Sequence, residues 1–142
     1  MSRKQNEAII RQYLKGWETG DSSLFEQVLA PDFVDCMYGQ LRTREALLEQ
    51  AGETTYSDRQ ITIEDVMCDD DKVAVRVTSR LTRAEIGKRA TITGMIMVRI
   101  KEGKMVEGWG EHDRLGHLQQ LGVVPGGEEY RRWVRERLSA AT

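Results

Sequence analysis

Near the end of an apolar stretch in the last third of the chain stands a carboxylate, Asp113, whose surroundings suit proton transfer. In the run from Lys104 to Asp113, strict alternation puts Met105, Glu107, Trp109, Glu111 and Asp113 on one face. Opposite them lie Val106, Gly108, Gly110 and His112. A carboxylate walled by Trp109 and methionines is favoured in its neutral form. It could take a proton from a carbon flanked by two carbonyls, with no metal and no cofactor. Arg99, on the preceding strand, is placed either to stabilise the enolate oxygen or to hold Asp113 in a structural ion pair, and the spacing leaves both open. It also leaves open an ordinary solvated role for Asp113 near a strand end. Glu107 and Glu111 share its face, although a rim position accounts for Glu111. His112 points the other way and His117 lies beyond the strand, so a His–Asp couple is not expected. No Ser or Cys stands in a nucleophile-elbow setting, and two His without an H-E-x-x-H pair argue against a transition-metal site.

The elements that must position these groups follow from periodicity. Ile9, Ile10, Tyr13, Leu14 and Trp17 recur at helical spacing over about 4–17, and Gly20 ends that helix. Asp21 caps a second short helix carrying Leu24, Phe25, Val28 and Leu29, which Pro31 ends. Phe33 to Tyr38 reads as a strand, and Thr43 caps a third helix with Leu47, Leu48 and Ala51. Strands follow at about 60–68, 72–82, 89–100 and 104–115, and a last helix runs over about 128–139 with Tyr130, Trp133, Val134 and Leu138 as its stripe. Helices first and a meander afterwards make an α+β domain whose sheet wraps around helices. One domain, 1–142, accounts for the whole chain.

The hairpin at 89–115 decides which faces coincide. A two-residue turn at Glu102-Gly103 pairs Ile100 with Met105 and sets the isoleucines beside Trp109. A three-residue turn pairs Ile100 with Lys104 and brings Met95, Met97 and Arg99 to the face of Trp109 and Asp113. The second is favoured, because it yields a cavity lined by Thr, Met and Trp with one Arg. It leaves Ile92, Ile96, Val98 and Ile100 as an aliphatic face for a second copy of the chain. Trp17 and Phe33 are expected as further walls of the cavity, or as core packing alone.

Composition removes several functions. A net charge of −2 lacks the basic surplus of a general nucleic-acid binder. The apolar runs are far too short to span a bilayer, and the first residues are too polar for a signal peptide. Cys36 and Cys68 are expected as free thiols, which suits the cytoplasm.

The stretch from Val98 to Gly122 resembles the closing signature of SnoaL-like polyketide cyclases, within the nuclear transport factor 2-like superfamily: a Gly-Lys-Met turn, then Glu107, Trp109 and Asp113, then Gln120-Leu-Gly122. Trp17, Gly20-Asp21, the run Leu29-Ala-Pro-Asp-Phe-Val34, Asp71 to Arg76 and Gly87-Lys-Arg89 agree, so the resemblance covers about 5–124. It implies a cone-shaped curved antiparallel sheet around helices, an apolar pocket and a homodimer through the sheet. In that family the carboxylate at the position of Asp113 is the general acid/base of an intramolecular aldol closure. Family members carry a His or Gln pair where this chain has Met97 and Arg99, and a His where Asp35-Cys36 stands. The expectation is therefore a cofactor-free, lyase- or isomerase-type enzyme acting on a hydrophobic carbonyl or polyketide-like metabolite. Asp113 would be catalytic, with Trp17, Phe33, Met95, Met97, Arg99 and Trp109 around the substrate. The alternative is a non-catalytic binding or accessory domain of the same fold.

Overall fold

Chain order begins with three helices interrupted by two strands: α1 (Arg3–Thr19), α2 (Ser22–Val28), β1 (Leu29–Met37), β2 (Gln40–Thr43) and α3 (Arg44–Ala51). Four strands follow, β3 (Tyr56–Asp69), β4 (Lys72–Arg83), β5 (Lys88–Lys101) and β6 (Lys104–His112), and then α4 (Arg114–Gln120) and α5 (Gly127–Ala140). These come from a computed structural model, which describes residues 2–141. Six strands form one sheet in the order β2-β1-β6-β5-β4-β3. This is the expected α+β architecture with one difference: the β1/β6 pair is parallel, which makes the sheet mixed. Pro31 lies inside β1 and does not end α2. It is tolerated where the β1/β6 ladder loses register between Leu29 and Val34, so its missing N–H interrupts nothing.

One face of the sheet covers the helices. Val73 pairs with Val98 and Val75 with Ile96, so the aliphatic rows of β4 and β5 coincide. Val73, Val75, Val77, Val98 and Ile100 are almost wholly buried against Ile10, Leu14, Phe25 and Leu47. Burying each such side chain contributes roughly 1.5–3 kcal/mol. Gly16 lets α2 approach α1: a Cβ there would lie 3.0 Å from the Phe25 ring. Phe25 meets Tyr13 and Trp17 edge-to-face, with ring centroids 5.4 and 5.1 Å away.

The β5–β6 hairpin takes the two-residue turn at Glu102-Gly103 that pairs Ile100 with Met105, not the favoured three-residue one, and a bulge beyond it resets the faces. Lys101 pairs with Lys104 across a two-residue turn, with Glu102 and Gly103 both at positive φ, as the hairpin's right-handed twist prefers. A bulge follows, because Ile100 faces Met105 while Arg99 already faces Glu107. Beyond it Met97 faces Trp109 and Met95 faces Glu111. The methionines and Trp109 therefore share a face, as expected, through a bulge and not through a longer turn.

That face is the outer one, which corrects the expected orientation. Met95 is 59% exposed, and Met97 and Trp109 38% each, whereas Ile96, Val98 and Ile100 are at most 8% exposed within a single chain. The aliphatic row expected to meet a second copy is instead the floor for the helices. β4 decides the matter: its valines can only point at the helices, and Arg76, in register with Met95, points out with the methionines.

The last strand is also shorter than expected. It stops at His112, because Asp113 has left the strand and caps α4, accepting a hydrogen bond from Gly116 N at 2.9 Å. A Cβ on Gly116 would lie 2.2 Å from Asp113 Oδ2, so a glycine is required there. At the other end of the chain α5 forms as expected, and none of its residues is buried.

Candidate functional site

The helices do not fill the cone. Between α1, α3 and the inner face of the sheet lies a cavity of about 370 Å³, walled by Trp17, Ile61, Val77, Ile92 and Ile96 among others. Its polar lining includes Tyr13 on α1, Tyr38 and Arg42 around the β1–β2 turn, Gln50 on α3, residues of β3 and β4, and His112 at the end of β6.

His112 is inside because alternation along β6 aims it away from the Trp109 face, and Gly94 lets it lie flat on β5. Gly94 is its partner across the ladder, and a Cβ there would fall 2.1 Å from His112 Nδ1. Burial pushes the imidazole below its ordinary pKa, and the Arg42 charge adds to the shift while Glu111 opposes it. At neutral pH His112 is therefore a neutral base. Among the described residues neither ring nitrogen bonds to the protein. The Tyr38 ring lies 6.4 Å away, with the Arg114 guanidinium 4.7 Å from its centroid.

Arg42 is held by a fork. Its Nε and Nη2 donate to the two oxygens of Asp35 at 2.9 and 2.6 Å, and its Nη1 donates to Gln50 Oε1 at 2.8 Å. Burial works against the guanidinium's charge, but Asp35 outweighs it and keeps the group charged. Asp35 thus buries a counter-ion under the cavity floor. Burial pushes Tyr13 up to about 12, so it remains a neutral phenol.

Of the seven residues expected at the site, the cavity takes one, Trp17. Phe33 is core, packed against Gly108. Met95, Met97, Trp109 and Asp113 do come together, but along an open hollow on the outer face with Arg76 and Glu111. Arg99 lies farther along that face, bonded to Asp71 at 2.8 Å and 3.7 Å from Glu107, so no Arg99–Asp113 pair forms. The missed residues are His112 and Arg42. What turns His112 inside is the register of Arg76 with Met95, a contact between separate strands that no local period reports.

A family model for SnoaL-like polyketide cyclases matches residues 7–121. The chain belongs to that family. Solved structures agree. IdmH of Streptomyces antibioticus, provisionally described as a polyketide cyclase, is 27% identical with a TM-score of 0.76, over 84% of this chain and 99% of that one. A protein of Bacillus cereus with the same provisional description is 25% identical with a TM-score of 0.76, over 87% and 86% of the two chains. AclR of Streptomyces galilaeus, provisionally a hydroxylase, shares the fold at 22% identity and a TM-score of 0.79, over 99% of this chain and 95% of that one. No curated protein matches the chain. Among the described residues no helix is long and apolar enough to cross a membrane.

Proposed function

We propose that this SnoaL-like protein is an enzyme that removes a proton from a carbon beside a carbonyl in a hydrophobic substrate, with His112 as the base. One observation carries the reading: a neutral imidazole, unengaged by the protein, on the inner wall of an apolar cavity beside a fixed guanidinium. His112 takes the proton, and Arg42 and the phenol of Tyr13 supply charge and a donor for the developing enolate oxygen. The enolate carbon can then bond to a second carbonyl carbon of the same molecule, whose oxygen becomes an alkoxide and takes the proton back from the His112 imidazolium, which is an aldol closure. In this reading Asp113, which the resemblance placed at the chemistry, is a positioning residue. Its N–H donates to Thr93 O at 2.9 Å and its carboxylate caps α4, which fixes the end of β6 where His112 sits.

The test uses a stand-in substrate, ethyl 2-benzylacetoacetate, whose single acidic proton exchanges slowly in D2O and is read by NMR. The protein should accelerate that exchange over buffer, and His112→Gln should lower the acceleration by about 10²–10⁴, the scale of one acid/base group. Absence of acceleration with the probe still bound would favour the second reading, a binding domain. That reading has its own support, since among the described residues no second group orients the His112 ring by a hydrogen bond.

The outer face supports a further part of the proposal, a homodimer through the sheet. Met67, Met95, Met97 and Trp109 form an apolar strip there that the single chain leaves largely uncovered. The strip's own ion pairs, Arg76–Asp65 and Arg99–Glu107, set charges of both signs along it, as a surface that meets its own copy needs.

A further inference from the structure

Tyr13, Trp17, Tyr38 and Tyr56 bring aromatic rings to the cavity wall. Three of them are engaged by the protein itself. Tyr13 and Trp17 pack edge-to-face with Phe25 and with each other. Tyr56 lies 5.6 Å from the His117 ring, centroid to centroid, and the Arg83 guanidinium is 5.3 Å from its own centroid. Tyr38 is different. It is 44% exposed, and the Arg114 guanidinium stands over its ring, 4.7 Å from the centroid. Arg114 takes no part in the cavity wall, so it backs the ring from outside and leaves the cavity-side face open. The His112 ring is the neighbour on that side, 6.4 Å away and tilted by 53°.

The backbone holds Tyr38 in place against its own preference. Met37 pairs with Gln40, so Tyr38 and Gly39 are the whole turn between β1 and β2, and both take positive φ, 53° and 73°. Such turns favour Asn-Gly, and the left-handed region is unfavourable for a bulky side chain. Strain of this kind persists where the surrounding structure over-determines it, and it collects at ligand sites. The surroundings of Tyr38 are drawn from both edges of the sheet. Burial raises its phenol above the ordinary value, Arg114 and Arg42 oppose the shift, and Tyr56 and Glu111 add to it. Arg42 belongs to β2 and Tyr56 to β3, which are the two outermost strands, so the curl of the sheet closes around this ring.

We infer that Tyr38 is a specificity-determining residue: its open face stacks on a flat, unsaturated group of the substrate and thereby sets how the reacting carbon meets His112. The inference rests on the cavity being the functional site and adds what that site selects. With Arg114 behind it the ring is held in advance, so little ordering is lost when a group stacks on it.

Two esters test it, ethyl 2-benzylacetoacetate and ethyl 2-(cyclohexylmethyl)acetoacetate, which share the acidic carbon and differ in whether the ring is flat. The cyclohexyl ester is the more apolar, so a plain apolar wall favours it. Calorimetric titration should instead show the benzyl ester binding about two- to tenfold more tightly, the scale of one aromatic pair. Tyr38→Phe keeps the ring and should keep the preference. Tyr38→Asn suits the turn and should abolish or reverse it. Arg114→Gln, which removes the support behind the ring, should lose part of it. Should Tyr38→Asn not fold, Tyr38→Gly, which positive φ does not strain, carries the same test. Absence of a benzyl preference in the unaltered protein would overturn the inference. So would a preference that survives the loss of the Tyr38 ring, because the stacking then belongs to another residue. Binding is read here without turnover: a failed preference beside intact proton exchange removes this inference alone, whereas a Tyr38-dependent preference without exchange supports it and counts against His112 as the base.

Discussion

At the scale of single residues, the cavity depends on groups that fill space no larger side chain could share. Gly94 is the clearest. With His112 Nδ1 2.1 Å from where its Cβ would stand, Gly94→Ala must push the imidazole off the sheet. Exchange activity should then fall nearly as far as in His112→Gln, at a stability cost of about 1–3 kcal/mol for the overpacking, measured by thermal melting. The two histidines also predict a pH dependence. Burial holds both His112 and His117 below the ordinary value of 6.5, so the folded chain binds fewer protons than the unfolded one. Their contribution is fully present above 6.5 and is lost as pH falls through the lower folded values. The melting temperature should drop below that pH, and less steeply in the His112→Gln protein.

At the scale of elements, the junction of β6 and α4 is set by a cap. Asp113→Ala removes the acceptor for Gly116 N and should cost about 1 kcal/mol, whereas Asp113→Asn keeps an acceptor and should melt within a few tenths of that of the parent. Denaturant unfolding of the two variants distinguishes them. This junction also shows where the sequence stopped being legible. The helical stripes of α1 and α5 and the valine alternation of β4 were readable, because a local period reports a local face. Whether a face is inner or outer is not local. It depended on the bulge after Ile100 and on the pairing of β4 with β5, both contacts between separate segments. A strand read to about 115, three residues too far, then carried the Asp113 carboxylate onto a face it leaves. Pairing within β1–β6 was equally hidden, since a parallel neighbour leaves no turn between its strands to be seen.

At the scale of the whole molecule, one sheet serves two purposes, an inner wall for a cavity and an outer strip of methionine and tryptophan. Sedimentation at micromolar concentration should give a mass of about twice 16.2 kDa. Met97→Lys, at a 38% exposed position, should give the monomer without unfolding it. A dimer unaffected by Met97→Lys and by Trp109→Lys would place the contact elsewhere. The helix α5, with no buried residue, adds little to the monomer, and a chain ending at Pro125 should melt within about a degree or two of the full one.

On the proposed function, the chemistry lies inside the cone and not on the face that carries Asp113. The most direct measurement compares α-proton exchange of ethyl 2-benzylacetoacetate by the unaltered protein, His112→Gln and Asp113→Asn, with all three shown to be folded. Activity should fall by about 10²–10⁴ in His112→Gln and stay nearly full in Asp113→Asn. Full activity in His112→Gln with its loss in Asp113→Asn would contradict the proposed function.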